Sequence, residues 1–432
     1  MNKVDLCLTN GKILAQNSIL EAGIAIDKGR IVSISKNSLL PQADKVIDVE
    51  GSIILPGIID THVHFRDPGL TQKENFSTGS KAAAAGGVTT ICDMPNTSPP
   101  TDSLKEFKEK REIGNRKSYV DFGLHGMLTE SQEEGRKIMN AGAVSLKLYP
   151  ESCEDSEVSK FQDDEMIITV HPEDPSLIEN VETWEGADDF IKSRPNMAET
   201  SEIIRLLSLV QKPHVHYCHI STKGALDHIA KEKSRREISC EVAPHHLLLD
   251  RSHLREFGPV AKTYPPLRTK KDRQTLLRGL ERGSIDIVAT DHAPHTFEEK
   301  NKGLKEAPPG IAGIETSLPL LFTLVKKKKL SPFRLKEAMS SYPAKIFGLR
   351  NEENIPKGVL SPGADADIVV LDQNRKWEIK GEDLHGKTKF TPFEGTKVIG
   401  KPTLTLVRGK IVFKEGEIVG EKGYGRFLPR RT

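Results

Sequence analysis

Residues 58–69 read IIDTHVHFRDPG, and the first eight of them decide the fold. IIDTHVHF is near-continuously apolar until two histidines, His62 and His64, appear toward its far end. A short strand buried on both faces belongs in a parallel sheet covered by helices. Seven more segments share the design: VTTICDMPN (88–96), VDFGLHGML (120–128), AVSLKLYP (143–150), MIITVHPE (166–173), HVHYCHIS (214–221), ISCEVAPHH (238–246) and DIVATDHAP (286–294). Each carries His, Asp, Asn or Lys toward its C-terminal side, and helical stretches separate them. Eight such alternations predict a closed (β/α)8 barrel, which typically takes roughly 250 residues and gathers its reacting groups at the C-terminal strand ends.

The two ends of the chain have a different texture. VDLCLTNGKIL (4–14) carries an Asn-Gly hairpin signal and GIAIDKGRIVSIS (23–35) a Lys-Gly turn. PTLTLVRGKIVFKEGEIV (402–419) repeats the pattern with Arg-Gly and Glu-Gly turns. We therefore expect a small composite β-sandwich domain from both termini, residues 1–50 and 355–432, flanking a barrel over 51–354. The run Lys326–Lys329 reads as the solvated end of a helix.

Composition narrows the function classes. The 432 residues carry 63 Lys+Arg against 61 Asp+Glu, a formal charge of +2, so there is no basic nucleic-acid footprint. Aromatic residues make up 5%, which argues against a base-stacking platform. Five scattered cysteines without a C-x-x-C pair exclude a disulfide framework and a thiolate zinc site, and fit a reducing cytoplasm. No signal-peptide pattern opens the chain, and no apolar run approaches the roughly 20 residues that span a bilayer. The expectation is a cytoplasmic protein acting on a small molecule, with neither nucleic acid nor membrane as partner.

His62 and His64 are two apart in a strand, so their imidazoles share a face and can reach one ion. His171, His219 and Asp291 stand at corresponding ends of later strands, and Lys147 lies inside SLKLYP. An unpaired ammonium inside a barrel costs several kcal/mol. Either Lys147 pairs with a neighbouring carboxylate, or its amine has reacted with CO2 to give an anionic carbamate that bridges two ions. The histidines around it favour the carbamate. One ion would then take His62, His64 and Asp291 and the other His171 and His219, with carboxylated Lys147 between them. Imidazole and carboxylate donors without thiolate suit two Zn2+, with Mn2+ or Co2+ as alternatives.

HVHFRDPG, AAAAGGVTTICDMPNT, SLKLYP, VHYCHIS, CEVAPHHL, ATDHAPHT and APPGIAGIET together resemble dihydroorotases of the amidohydrolase superfamily, in the family's order from about residue 50 to 350. The resemblance implies a zinc enzyme that interconverts N-carbamoyl-L-aspartate and L-dihydroorotate in pyrimidine biosynthesis. It places the metal ligands on His62, His64, Lys147, His171, His219 and Asp291, with Asp291 also the catalytic acid/base. It puts substrate contacts on His64, Arg66, Asn96 and His295, and backbone contacts on Pro309 and Gly310. It is also compatible with a homodimer and with an aspartate transcarbamylase partner. Arg66 offers a planar donor fork for the substrate carboxylate, which the rings taken by allantoinases and hydantoinases lack.

Three departures stand out. Tyr264, in TYPPLR, occupies a position where the family often has Asn. His171 is followed by Pro172-Glu173 where His-Ala-Glu is common, so the strand should stop there. The stretch from Lys147 to His171 leaves room for only a turn or two of helix. Other histidines receive structural readings: His125 as a hydrogen-bonded core residue, His214 and His216 as out of phase with His219, and His292 as packing. His245 and His246 stand near the site as candidates to orient ligands, and Asp93 is unassigned. The alternatives are an allantoinase or dihydropyrimidinase, or a ligand-losing scaffold partner of a transcarbamylase.

Overall fold

The computed structural model describes residues 3–15, 18–162, 166–179 and 186–431. Eight parallel strands form the barrel: Ile58–Val63, Val88–Asp93, Asp121–Leu124 continued by Gly126–Met127, Leu146–Leu148, Ile167–Val170, His214–Tyr217, Ile238–Val242 and Ile287–Val288. They are called the first to the eighth strand below. The third is broken at His125: its first half pairs with the second strand and its second half with the fourth. The ring closes where His64 N donates to His292 O at 2.8 Å, beside the Val63–His292 bridge.

Helices follow the strands, and several start on a polar cap fixed by sequence. Asn75, Ser103, Ser131, Thr222 and Thr269 each accept a backbone N–H from three residues further on, so the chain turns from strand to helix at a defined residue. Among the described residues after the fourth strand, only Pro150–Ser152 and the single turn Asp155–Val158 form, in line with the short spacing to His171. Asp163, Asp164 and Glu165, from the same stretch, lie outside the described residues. The fifth strand stops at Val170, one residue before His171-Pro172. The helix Ser317–Lys326 runs into exposed lysines at 327–329. No helix among the described residues is long and apolar enough to cross a membrane.

Both chain ends build one nine-stranded sheet, with Ile53–Pro56 hydrogen-bonded between Val4–Leu14 and Ile368–Glu378. Alternation along these strands divides two cores. Ile54, Ile368, Val370, Leu404 and Leu406 face a core shared with Leu8, Ile24 and Ile26. Their neighbours Ile53, Leu55, Val369, Leu371 and Val407 face the barrel's own core. The two units thus share a continuous apolar seam.

One turn expectation is corrected. Asn10-Gly11 does not close a hairpin: Val4–Leu14 is a single strand that pairs with Ile19–Asp27 on both sides of a bulge. Asn10 takes the left-handed conformation (φ 58°), which absorbs the one extra residue without reversing the chain. Lys28-Gly29, Arg408-Gly409 and Glu415-Gly416 do reverse it, each with φ positive at both positions.

A buried charge cluster rivets the terminal sheet to the barrel. Lys357 Nζ lies 2.9 Å from Asp121 Oδ2 on the third strand, 2.9 Å from Asp365 Oδ2, and also pairs with Asp367. Arg408 pairs with Asp121 and Arg30 with Asp365. The last residues return alongside, with Leu428 N donating to Phe122 O at 2.7 Å.

Candidate active site

Every residue expected at the metal or substrate site lines one cavity of about 510 Å³ at the C-terminal ends of the barrel strands. The first strand delivers His62 and the residues just after it His64 and Arg66; Asn96 follows the second, His171 the fifth, His219 the sixth, and Asp291 the eighth. His62 Nε2 and His64 Nε2 lie 3.4 and 3.1 Å from Asp291 Oδ1. Across the cavity His171 Nδ1 is 3.2 Å from His219 Nε2, and the His62 and His219 ring centroids are 5.4 Å apart.

The outer hydrogen bonds settle what these atoms can do. His64 Nδ1 meets the Asn96 amide oxygen at 2.7 Å, so it carries the proton and Nε2 turns a lone pair toward Asp291. His171 Nε2 faces Glu173 Oε2 at 3.1 Å, which leaves Nδ1 as the free lone pair. Burial and then neighbouring positive charge keep His219 neutral, its pKa well below the ordinary histidine value. Burial also brings His64 down to about 4, against the pull of Asp291. Lone pairs and a carboxylate oxygen therefore converge on one space, an arrangement that a cation relieves. His62 shows the same demand. Burial opposes its charge, but the Glu241 carboxylate at 2.5 Å outweighs burial and lifts the imidazole to about 10. That proton holds the place a metal ion would take, and metal binding would release it.

Lys147 is 1% exposed, and its Nζ donates to Cys218 Sγ at 2.8 Å. Among the described residues no carboxylate comes within ion-pair distance of it. The ion-pair reading of this lysine therefore has no support in the structure. His62, His64 and Asp291 bring three donor atoms close enough together to hold a divalent ion.

Backbone strain marks the same place. Arg66 (φ 61°), His219 (φ 31°) and Asp291 (φ 47°) all adopt the left-handed conformation without being glycine. Each costs on the order of 1–3 kcal/mol and persists only where the surroundings enforce it. His219 shows the use of it. His216 lies two residues into the sixth strand and bonds within the barrel to Ser239 Oγ (2.7 Å) and Glu241 Oε2 (3.1 Å). The twist at His219 swings the next imidazole into the cavity despite its opposite phase.

Sequence reasoning missed Glu241. It is buried in the seventh strand, holds both His62 and His216, and lies well below the usual carboxylate range: burial opposes this, but His62 and His216 prevail. Its signal was a single Glu in the apolar run ISCEV. Asp60 was also missed; it accepts from Thr290 N (3.0 Å) and Thr290 Oγ1 (2.5 Å) and so holds the first strand to the turn before Asp291. Glu173 orients His171 while Arg194 Nη2 (2.9 Å) and Arg268 Nη2 (3.6 Å) balance its charge. Tyr264 lines the cavity with the Arg194 guanidinium stacked 3.7 Å above its ring.

Histidines other than His62, His64, His171, His219 and His295 do not line the cavity. His125 bonds Ser145 Oγ and Thr61 O inside the barrel. His214 bonds Ser239 Oγ, and His292 Nδ1 accepts from Gly313 N. His245 and His246 are buried beside each other and do not line the cavity. Asp93 pairs with Lys110 at 2.6 Å and accepts from Phe65 N.

At the other end of the cavity the chemistry changes sign. Arg66 is buried, yet among the described residues no carboxylate pairs with it, and its Nε has no hydrogen-bond partner. Its Nη2 sits 3.3 Å from His295 Nε2, which itself lies 2.9 Å from Pro309 O. Gly310 closes this wall at φ 141°, and a Cβ there would fall 2.4 Å from Ala293 O, so no side chain fits.

The chain is similar in sequence and fold to known proteins. The Amidohydrolase family profile matches residues 53–412. The dihydroorotase of Methanothermobacter thermautotrophicus is 41% identical over 438 residues, covering 98% of this chain and 97% of its own. That of Lactobacillus gasseri is 38% identical, covering 95% and 99%. Among solved structures, the L-hydantoinase (dihydropyrimidinase) of Arthrobacter aurescens superposes with a TM-score of 0.92 at 32% identity, covering 99% of this chain and all of its own. The dihydropyrimidinase of Brevibacillus agri gives 0.90 at 28%, covering 99% and 98%. With the matched profile spanning most of its length and full-length relatives well above 30% identity, the chain belongs to the amidohydrolase family.

Proposed function

We propose that the chain is a dihydroorotase that interconverts N-carbamoyl-L-aspartate and L-dihydroorotate with two Zn2+ bound. The observation that carries this choice is Arg66: a buried guanidinium facing the cavity without a carboxylate of its own. A buried, unpaired cation is costly, and an anionic substrate group repays that cost. The rings taken by hydantoinases and dihydropyrimidinases offer no such carboxylate, so the likeness to their structures is read as a likeness of fold and metal site. The complete ligand set argues against a scaffold role. Five buried free cysteines fit a reducing cytoplasm.

His62, His64 and Asp291 would hold one ion, His171 and His219 the other, and Lys147, as its carbamate, would lie between them. When bound, the ions supply hydroxide at neutral pH and polarise the ring amide carbonyl. Asp291 takes the hydroxide proton and returns it to the leaving ring nitrogen, the general acid/base role. Arg66 and His295 grip the carboxylate, and Asn96, its oxygen engaged by His64, keeps its amide nitrogen as a donor. Orientation by these groups lowers the barrier alongside the electrostatics.

The test is turnover of dihydroorotate by zinc-loaded protein, with allantoin and dihydrouracil alongside and a chelated sample as control. Chelator-sensitive loss of dihydroorotate alone is expected; turnover of only the uncharged rings would sink the proposal. Arg66→Ala should weaken dihydroorotate by about ten- to a hundredfold in kcat/KM, the range of a lost charged hydrogen bond. An equal loss against uncharged rings would make Arg66 structural.

A further inference from the structure

Lys73 lies in the loop between the first strand and the helix Phe76–Ala85, behind the residues that line the cavity. Its Nζ is 3.3 Å from His295 Nδ1 and 2.8 Å from Glu299 Oε1, with the side chain only 14% exposed. An ammonium can only donate, so His295 Nδ1 must be the acceptor and the ring proton must sit on Nε2. That Nε2–H donates to Pro309 O at 2.9 Å, with an Arg66 N–H 3.3 Å away. Burial, together with Arg66 and Lys73, brings His295 down to about 3, so the ring is neutral and its tautomer decides what it offers.

We propose that Lys73 is a positioning residue for substrate recognition: by occupying His295 Nδ1 it fixes the Nε2–H tautomer, so that the N–H held by Pro309 O stands beside the Arg66 guanidinium as a donor that the substrate's carboxylate shares or takes over. This rests on the reading above that a carboxylate binds at Arg66. The nearby Glu299 shows why the lysine is needed. Glu299 Oε2 stands 3.5 Å from His295 Nδ1. Without the ammonium, that carboxylate competes with Pro309 O for the ring proton, and the Arg66 N–H 3.3 Å from Nε2 favours a lone pair there, so the balance shifts toward Nδ1–H. Nε2 then turns a lone pair toward the incoming carboxylate, and a donor becomes a repulsive group. Lys73 therefore excludes the tautomer that rejects substrate.

The experiment uses the full-length zinc-loaded protein, labelled with 15N-histidine, with His295 assigned by its absence in His295→Gln. Two-bond correlations distinguish Nε2–H from Nδ1–H. The wild type should show Nε2–H at His295, Lys73→Met should move it to Nδ1–H, and Lys73→Arg should retain Nε2–H. Steady-state kinetics on the same samples should show KM for dihydroorotate raised about tenfold or more in Lys73→Met with kcat changed far less. Lys73→Met/Glu299→Gln should recover part of that loss, because the competing acceptor is gone. A His295 proton on Nδ1 in the wild type, or an Nε2–H that survives Lys73→Met, would overturn the proposal. So would equal kinetic losses in Lys73→Met and Glu299→Gln with no recovery in the double variant, the pattern of a purely structural ion pair. If the wild type instead fails to prefer dihydroorotate over dihydrouracil, the carboxylate reading fails while the tautomer result still decides the role of Lys73 on its own.

Discussion

Lys147 and Lys357 are both buried lysines, and their surroundings are opposites. Lys357 touches three carboxylates, Asp121, Asp365 and Asp367, with Arg408 and Arg30 completing the balance. Lys147 touches the Cys218 thiol and sits among imidazoles, with no carboxylate at ion-pair distance among the described residues. The first arrangement pays its desolvation inside the protein and joins two parts of the fold. The second leaves the amine uncompensated; on the proposed reading, carboxylation and metal would turn it into an anion among cations. Each site has three donor side chains close enough to hold an ion, His62, His64 and Asp291 in the cavity and Asp121, Asp365 and Asp367 beneath the terminal sheet, but at the second the lysine already fills that place. A buried charge reads as functional when its partners are missing, and as structural when they are complete.

The largest expected effect separates the two lysines directly. Lys147→Met should reduce dihydroorotate turnover by at least about 10³-fold, the scale of losing metal-assisted catalysis, while the Tm of the metal-free protein stays level or rises because an unpaired amine has been removed from the core. A large fall in Tm would place Lys147 with Lys357 as a structural charge. Lys357→Met should do the reverse. It leaves three carboxylates short of a cation, at about 3–5 kcal/mol of stability, with zinc per folded chain unaltered. Denaturant unfolding beside metal analysis checks both halves.

Glu241→Gln sharpens the contrast from the metal side. Losing the carboxylate that orients His62 should weaken zinc affinity by about 10- to 100-fold, with a far smaller effect on the terminal sheet. Competition with a calibrated chelator measures this, and unaltered affinity would reduce Glu241 to a packing role. The smallest effect is in the pH dependence of stability. Burial opposes the charge on Lys357, but Asp367 and Asp365 outweigh it and raise its pKa above the ordinary 10.5. A raised lysine contributes stability that is complete below the unfolded value and disappears as pH climbs through the folded one. The Tm gap between wild type and Lys357→Met should therefore hold through neutral pH and narrow only above 10.5. A gap already closing between pH 6 and 8 would assign the stabilisation to another group.

The same contrast explains what could be read from sequence. His62, His64, His171 and Asp291 were legible because strand ends in a barrel converge, whatever the intervening helices do. The alternation of eight buried strands was legible for the same reason. His219 was legible as a member of the series, although its phase opposed His216; only the left-handed twist reconciles them. Glu241 was not legible, since its partner His62 is 179 residues away and nothing local distinguishes an orienting glutamate from a chance one. The Lys357 rivet was hidden similarly: its acids come from the third barrel strand and from the segment before Ile368. Asn10-Gly11 failed differently, because one dipeptide serves both a tight turn and a bulge, and pairing partners choose between them.

Zinc per folded chain, measured by elemental analysis on wild type, Lys147→Met and Lys357→Met purified side by side, tests the central claim most directly. The account predicts about two zinc ions in the wild type and in Lys357→Met, and fewer than about one in Lys147→Met. Full zinc occupancy in Lys147→Met, or its loss in folded Lys357→Met, would contradict it.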